Sequence, residues 1–262
     1  MTWLRVVTKL PALFVVTLSA AFLAATGRLL CFGRTRPSAW VGSQAGRAWS
    51  RLACAILRIR LRVDGRPTGR PFLVAANHLS YVDIWVFGAL YPSIFVAKRE
   101  IAGWPGFGWV ARAAGTLFVD RETPRDVVRV GRRMSEHLAL GISLTVFPEG
   151  GTSDGEQVRP FLSAILEPAA RDGASCWAAS ISYETPGAPP PPTLTICWGR
   201  GRPFLRHLLG IMRLRRVEAS VSFSKVPVRS TDRKELARRL WEHARESFVP
   251  VRRQWLPPEC AP

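Results

Sequence analysis

The sequence predicts an α/β fold: a mixed, largely parallel sheet flanked by helices, preceded by an N-terminal membrane-associated helix. Three observations carry this. The chain has 262 residues, 47% of them hydrophobic, enough for one large domain with a substantial core. Short apolar runs alternate with segments of helical periodicity, the pattern of strands joined by helical crossovers. Near the N-terminus, Leu10–Gly27 (LPALFVVTLSAAFLAATG) runs eighteen residues without a charge.

At 1.5 Å rise per residue that segment reaches about 27 Å, close to the thickness of a bilayer core. Three readings fit it. A cleaved signal peptide suits the basic start and the small residues after Leu23, and a buried core helix would be bounded by Pro11 and Gly27. The third, a helix that spans or half-inserts into a membrane, is the expectation. Positive charge is heavier after the segment (Arg28, Arg34, Arg36) than before it (Arg5, Lys9), which leaves the body on the cytoplasmic face. The expected organisation is an anchor at 1–30 and a second domain at 31–262. That domain opens with a connecting helix at about 38–58.

Ile59–Val63 (IRLRV) alternates apolar and basic residues like a half-buried strand, and Phe72–Ala76 is a short buried strand. Ile94–Ala97 and Thr116–Val119 are further strands. Thr123-Pro124 starts a helix, with threonine as N-cap and proline at the first position. Its Val127, Val130, Met134 and Leu138 recur at helical spacing, and Gly141 stops it. Ile142–Phe147 is a strand ending in the loop PEGGTSDGE. Pro186–Pro192 (PGAPPPP) is a surface loop, with Leu194–Trp198 and Ala219–Phe223 as strands around it. Phe204–Arg216 sets Leu205, Leu208, Leu209 and Met212 on one helical face edged by arginines. That pattern fits a membrane-surface helix and a core-packing helix with a basic edge equally well. Asp232–Phe248 is the final helix, with a capping-box-like Asp232/Glu235 pair.

Thirty-seven Lys and Arg against nineteen Asp and Glu give a net charge of +18, which favours an anionic partner. No helix-turn-helix, RNP-type or zinc-finger pattern accompanies the charge, so an anionic membrane is expected and nucleic acid is not. Cys31, Cys54, Cys176, Cys197 and Cys260 are scattered, without a CxxC pair or a histidine at ligand spacing. This argues for reduced thiols and against a disulfide framework or a metal site. No Walker-type loop or strand-borne GxGxxG is present.

Three clusters could carry chemistry. In Asn77-His78-Leu-Ser-Tyr-Val-Asp83 a histidine and an aspartate stand five apart after an apolar strand. On a regular helix they would lie about 140° apart, so only a strand-to-helix turn folding His78 back would join them. Asp83 would then hold one imidazole nitrogen while the other takes a proton from a hydroxyl. Gly115-Thr-Leu-Phe-Val-Asp-Arg121 ends a strand with an arginine, which could bind a phosphate or pair with Asp120 or Glu122. Phe147-Pro148-Glu149-Gly150-Gly151-Thr152-Ser153 ends another strand with a carboxylate and two glycines. It is either a ligand-approach loop, with Glu149 orienting a hydroxyl or an arginine, or a strand-terminating turn.

In this order and at these spacings, the clusters resemble the glycerolipid acyltransferase family, the lysophosphatidic acid acyltransferases. The family's NHxxxxD, GxxFxxR and FPEGTRS are matched by NHLSYVD, GTLFVDR and FPEGGTS. The resemblance covers roughly residues 60–225. It implies His78 as general base and Asp83 as its partner. Asn77, Gly115, Arg121 and the loop Phe147, Pro148, Glu149 and Gly150 would lie on the acyl-acceptor lipid, and Lys98, in VAKRE, matches a basic position of the family. The implied reaction is direct attack of a lysolipid hydroxyl on an acyl thioester, supplied by acyl-CoA or acyl carrier protein, with no metal or other cofactor.

The sequence also departs from the family. Thr152 stands where the family has arginine, Leu162 where a lysine is common, and Ala179 where proline is usual. Two lost cations near a phosphate pocket cost about 1.5–3 kcal/mol each unless Arg159 or Arg121 compensates. Ser153-Asp154-Gly155 is similar to the branch that acylates lyso-ornithine lipids. The expected activity is therefore conversion of 1-acyl-sn-glycerol-3-phosphate to phosphatidate at a membrane. Acylation of lyso-ornithine lipid or another lysolipid is the alternative, and a catalytically silent, basic membrane-binding protein the further one.

Overall fold

The computed structural model describes residues 2–251 apart from 33, 105, 188–190 and 200, so Cys260 and the middle of the proline-rich loop lie outside the described residues. The strands are β1 (Ile59–Asp64), β2 (Leu73–Ala76), β3 (Ile94–Lys98), β4 (Leu117–Val119), β5 (Leu144–Val146), β6 (Cys176–Glu184) and β7 (Val217–Phe223). The helices are α1 (Thr2–Leu29), α2 (Thr35–Leu57), α3 (Val82–Leu90), α4 (Phe107–Ala113), α5 (Pro124–Ala139), α6 (Glu167–Arg171), α7 (Pro192–Thr195), α8 (Phe204–Arg213) and α9 (Arg233–Glu246).

The strands make one seven-stranded sheet in the order β1-β7-β6-β2-β5-β3-β4. Every pairing is parallel except that between β6 and β7. The mixed, mostly parallel sheet flanked by helices is thus as the sequence implies. Side-chain alternation divides the core in two. Val74 and Ala76 of β2, with Trp177, Ala179 and Ile181 of β6, meet α2, α3 and α8. Leu73, Ala75, Cys176 and Ala178 meet α5, α6 and α9 on the other face. β2 and β5 are buried at every position because helices cover both their faces, which is why they read as continuous apolar runs. β1 is an edge strand with only Ile59 buried, so its arginines face outward.

α1 runs through both Pro11 and Gly27 rather than stopping at them, because its apolar face continues toward the N-terminus, where Val6 and Leu13 are buried. It packs on α2, α4 and α8. Lys9 fastens it there, its Nζ donating to the carbonyl of Leu57 at 3.4 Å and of Leu214 at 3.0 Å, at the C-terminal ends of α2 and α8. The opposite side exposes Trp3, Leu4, Val7, Phe14, Val15, Phe22 and Leu23. Trp3–Leu29 is long and apolar enough to cross a membrane, and only 17% of its most apolar window is buried, unlike a core helix.

Three expectations are corrected. Leu194–Trp198 is not a strand: Pro192 starts the short α7 there, proline being suited to a first helical turn. The apolar run CWAASISYE, which holds Ala179, forms β6 and is buried throughout except at Glu184, while the expected Ala219–Phe223 lies in β7. α8 takes the core-packing form, burying His207, Leu208, Ile211 and Met212, with Leu205 turned outward. Thr123 occupies the N-cap position of α5, but its hydroxyl donates to Asp120 instead of capping the helix. Asp232 does cap α9, accepting from the backbone of Lys234 and Glu235.

Candidate active site

β2, β3, β4 and β5 run in the same direction, so the residues that follow them gather at one edge of the sheet. This is where open α/β sheets place their ligands. Asn77 and His78 follow β2, Lys98 ends β3, Arg121 follows β4, and Phe147–Gly150 follows β5. A cavity of about 830 Å³ opens there, lined by His78, Lys98, Arg121, Phe147, Glu149 and Gly150 among others.

The turn between β2 and α3 folds His78 back. Its Nδ1 lies 2.7 Å from Asp83 Oδ2, and its ring stacks on Phe147 at 4.2 Å and 11°. Asp83 Oδ2 also accepts from the backbone of Leu79 at 2.7 Å and Ser80 at 3.0 Å. Tyr183, on β6, donates its hydroxyl to Asp83 Oδ1 at 2.6 Å. Four donors converge on a fully buried acid, an arrangement suited to a carboxylate that accepts at both oxygens. Nδ1 is then the protonated imidazole nitrogen, and Nε2 keeps its lone pair. Among the described residues Nε2 has no hydrogen-bond partner, and the ring lines the cavity. This arrangement can take a proton from a hydroxyl placed in the cavity.

Glu149 faces inward. Its Oε1 accepts from the backbone of His78 at 3.2 Å and its Oε2 from Arg159 Nε at 3.0 Å. Arg159 also donates to the carbonyl of Gly151. Burial raises the Glu149 carboxyl to about 7 even though Arg159 pulls the other way. Glu149 thus ties the β5 loop to the His78 turn, the arginine-orienting option of the two expected for it. Gly150 stands at φ +82°, where an added Cβ would lie 3.0 Å from Leu162 Cδ1 and 3.6 Å from Arg121 Nη1. The left-handed backbone there is what calls for glycine, with Leu162 crowding the space a side chain would take.

Arg121 does not pair with Asp120 or Glu122. Asp120 is 3.6 Å from Arg99 instead, and burial lowers the Arg121 guanidinium while the charge of Glu100 raises it. Among the described residues neither Arg121 nor Lys98 has a hydrogen bond or ion pair. Two exposed cations without a close ion pair therefore line the cavity at neighbouring strand ends, with Glu100 on the same wall. Thr152 donates to the carbonyl of Trp198 at 2.5 Å, closing the far wall. Arg159 is engaged by Glu149, which leaves Arg121 rather than Arg159 free to stand in for a missing cation.

Three residues expected on the acceptor sit elsewhere. Asn77 is wholly buried. Its amide donates to the carbonyl of Ile181 at 3.0 Å and accepts from the Ile181 backbone at 2.7 Å, clamping the end of β2 to β6. Gly115, at φ +87°, makes the turn into β4 beside Arg28 and is not on the cavity wall. Pro148 is buried, its carbonyl accepting from Leu162 at 2.9 Å. Sequence reasoning also passed over Tyr183. No local pattern marks it, since it lies one hundred residues from Asp83.

The cavity's inner wall is aromatic: Trp49, Tyr81, Trp104, Phe107 and Trp198 line it. Trp104 meets Trp198 edge-on at 5.3 Å, and Tyr81 meets Trp198 at 5.6 Å. Such a wall suits an alkyl chain. Among the described residues no group of three or more His, Cys, Asp or Glu is placed to hold a metal ion.

The acyltransferase family model matches residues 58–181. Among curated proteins, the chain is 35% identical over 200 residues to the lyso-ornithine lipid O-acyltransferase of Pseudomonas aeruginosa, covering 76% of each. It is 41% identical over 134 residues to the 1-acyl-sn-glycerol-3-phosphate acyltransferase of Neisseria gonorrhoeae, covering 50% of this chain and 52% of that one. The crystal structure of the 1-acyl-sn-glycerophosphate acyltransferase PlsC of Thermotoga maritima superposes with a TM-score of 0.67 at 23% identity. That match covers 94% of this chain and 95% of the other, and shows a shared fold.

Proposed function

The chain belongs to the acyltransferase family, and from that premise we propose that it moves a fatty acyl group from an acyl thioester to the free hydroxyl of a lysolipid at a membrane. His78 Nε2 takes the hydroxyl proton as the oxygen attacks the thioester carbonyl. The C–O bond forms, the C–S bond breaks, and the proton passes from His78 to the departing thiolate. Asp83 fixes the tautomer and offsets the charge of the imidazolium. Acyl-CoA or acyl carrier protein supplies the thioester, and no cofactor takes part. The observation that carries this reading is the Nδ1–Asp83 contact on a cavity lined by two cations without a close ion pair.

Those cations, Lys98 and Arg121, favour an acceptor with an anionic headgroup, and 1-acyl-sn-glycerol-3-phosphate is the acceptor we propose. One observation favours lyso-ornithine lipid as a second reading. The relatives bearing that name align over 71–80% of this chain, and the phosphate-acceptor relative of Neisseria over half of it. Glu100, on the cavity wall near Arg121, would then face a headgroup ammonium. The exposed apolar side of α1 is the membrane contact, with the body on the cytoplasmic face.

Acyl transfer from labelled acyl-CoA by the detergent-solubilised chain tests this, with lysophosphatidate and lyso-ornithine lipid offered in parallel. Turnover on lysophosphatidate is expected, and turnover on lyso-ornithine lipid alone would replace the acceptor. His78→Ala should fall to background, and near-normal turnover by that variant would refute the mechanism.

A further inference from the structure

α2 turns two faces to two different hollows. Gly46, Trp49 and Ser50 line the reaction cavity. Arg47, Arg51 and Cys54 line a second cleft of about 480 Å³, which shares no lining residue with the first. The two are separated by the close α2–α3 contact, where a Cβ on Gly88 would lie 2.3 Å from Ser50 Oγ.

The floor of the second cleft is apolar: Ile59, Leu61 and Val63 of β1, Leu90 at the end of α3, and Phe223 at the end of β7. Its rim is basic. Arg47 and Arg51 stand one turn apart on α2, and Arg66 faces them from the loop after β1. Among the described residues none of the three has an ion pair, whereas Arg62, Arg129, Arg159 and Arg238 are each paired with a carboxylate. Arg47 Nε is buried without a hydrogen-bond partner. The crowding of like charge is felt: burial and then Arg51 lower the Arg47 guanidinium, and burial and then Arg47 lower that of Arg70, which does not line the cleft. Guanidinium groups gathered over an apolar floor repel one another until an anion comes between them. A phosphate takes such donors in bidentate fashion. The surroundings are those of a lipid: Leu52, beside Arg51, is half exposed, and α1 with its exposed apolar side packs on this same helix.

We propose that this cleft is a second lipid site, which takes the phosphate-bearing headgroup of an anionic lipid between Arg47, Arg51 and Arg66 and its first methylenes over the apolar floor, apart from the reaction cavity.

The test uses the full chain in detergent with Lys98→Gln and Arg121→Gln, so that the reaction cavity has lost its cations. Calorimetric titration with dihexanoyl phosphatidylglycerol, with inorganic phosphate and with dihexanoyl phosphatidylcholine reads the remaining site. Phosphatidylglycerol should bind, phosphatidylcholine and free phosphate at least tenfold more weakly. Adding Arg47→Gln, Arg51→Gln and Arg66→Gln should weaken phosphatidylglycerol at least tenfold. Removing equal charge at exposed positions elsewhere, with Arg60→Gln, Arg125→Gln and Arg215→Gln, should change it less than twofold. In an otherwise unaltered chain the cleft variant should keep its kcat for acyl transfer. Equal losses in the two triple variants would assign the effect to net charge and overturn the site. Free phosphate binding as tightly as the lipid would overturn the lipid assignment, and so would absence of binding in the starting chain. If the triple variant unfolds early, Arg51→Gln alone, an exposed residue without a partner, should lose about threefold, and no loss there would equally overturn the proposal.

Discussion

Replacing Arg159 by glutamine should make the stability of this protein fall more steeply with pH, because it strips a buried carboxylate of its cation. The Glu149 side chain is fully buried, and burial raises its carboxyl from 4.5 to about 7 with Arg159 in place. The folded chain therefore keeps a proton that the unfolded chain releases near 4.5. Stability is greatest below that point and is lost as pH rises toward 7, a rise of this size amounting to about 3 kcal/mol. Arg159 contributes a hydrogen bond and a charge that hold the carboxyl down, so without it the titration moves above 7 and the loss continues to higher pH. Breaking a buried pair costs about 3–5 kcal/mol, and the lower figure applies because the Arg159 side chain is 37% exposed. For a chain of this size each kcal/mol moves Tm by about 2–4 °C. Thermal unfolding in detergent should place Arg159→Gln about 6–12 °C below wild type at pH 8 and within about 3 °C at pH 5, where Glu149 is protonated in both. The double variant Glu149→Gln/Arg159→Gln should lose the pH dependence. A gap between Arg159→Gln and wild type that is the same at pH 5 and pH 8 would refute the reasoning.

Two further outcomes follow from the same geometry. Tyr183→Phe removes one of the four donors that hold Asp83 in place against His78. The value of kcat should fall about tenfold with KM for the acceptor unchanged, and an unchanged kcat would leave Tyr183 a packing residue. Gly150→Ala forces a Cβ into the left-handed region and to 3.0 Å from Leu162 Cδ1. That should cost about 1–3 kcal/mol and lower Tm by about 2–12 °C, whereas an unchanged Tm would show that the turn does not depend on the left-handed conformation.

Much of the architecture is legible in the sequence. The short apolar runs became β2, β3, β4 and β5, since interior strands covered by helices favour apolar residues. The long charge-free segment became α1, and Asp232 capped α9. The errors lie where a local pattern fits two structures. Leu194–Trp198 has strand-like composition, but the prolines before it favour a helical turn. Leu205 looks like part of an apolar face until the sheet decides which side of α8 is inward. For the candidate site, the motifs marked His78, Asp83, Lys98, Arg121, Glu149 and Gly150. They could not say that Asn77 is spent on Ile181, that Gly115 only turns the chain, or that Pro148 is buried behind the loop.

By itself the sequence determined the residue types available for chemistry and the strands at whose ends they stand. Tertiary structure alone decided their partners. Asp83 meets Tyr183, Glu149 meets the His78 turn, and Arg159 pairs with Glu149 on the cavity wall. The first two contacts join segments around the ends of β2, β5 and β6, which are neighbours in the sheet but 100 and 71 residues apart in the chain. Strand order is set by how the apolar faces pack, and a local pattern holds no record of it.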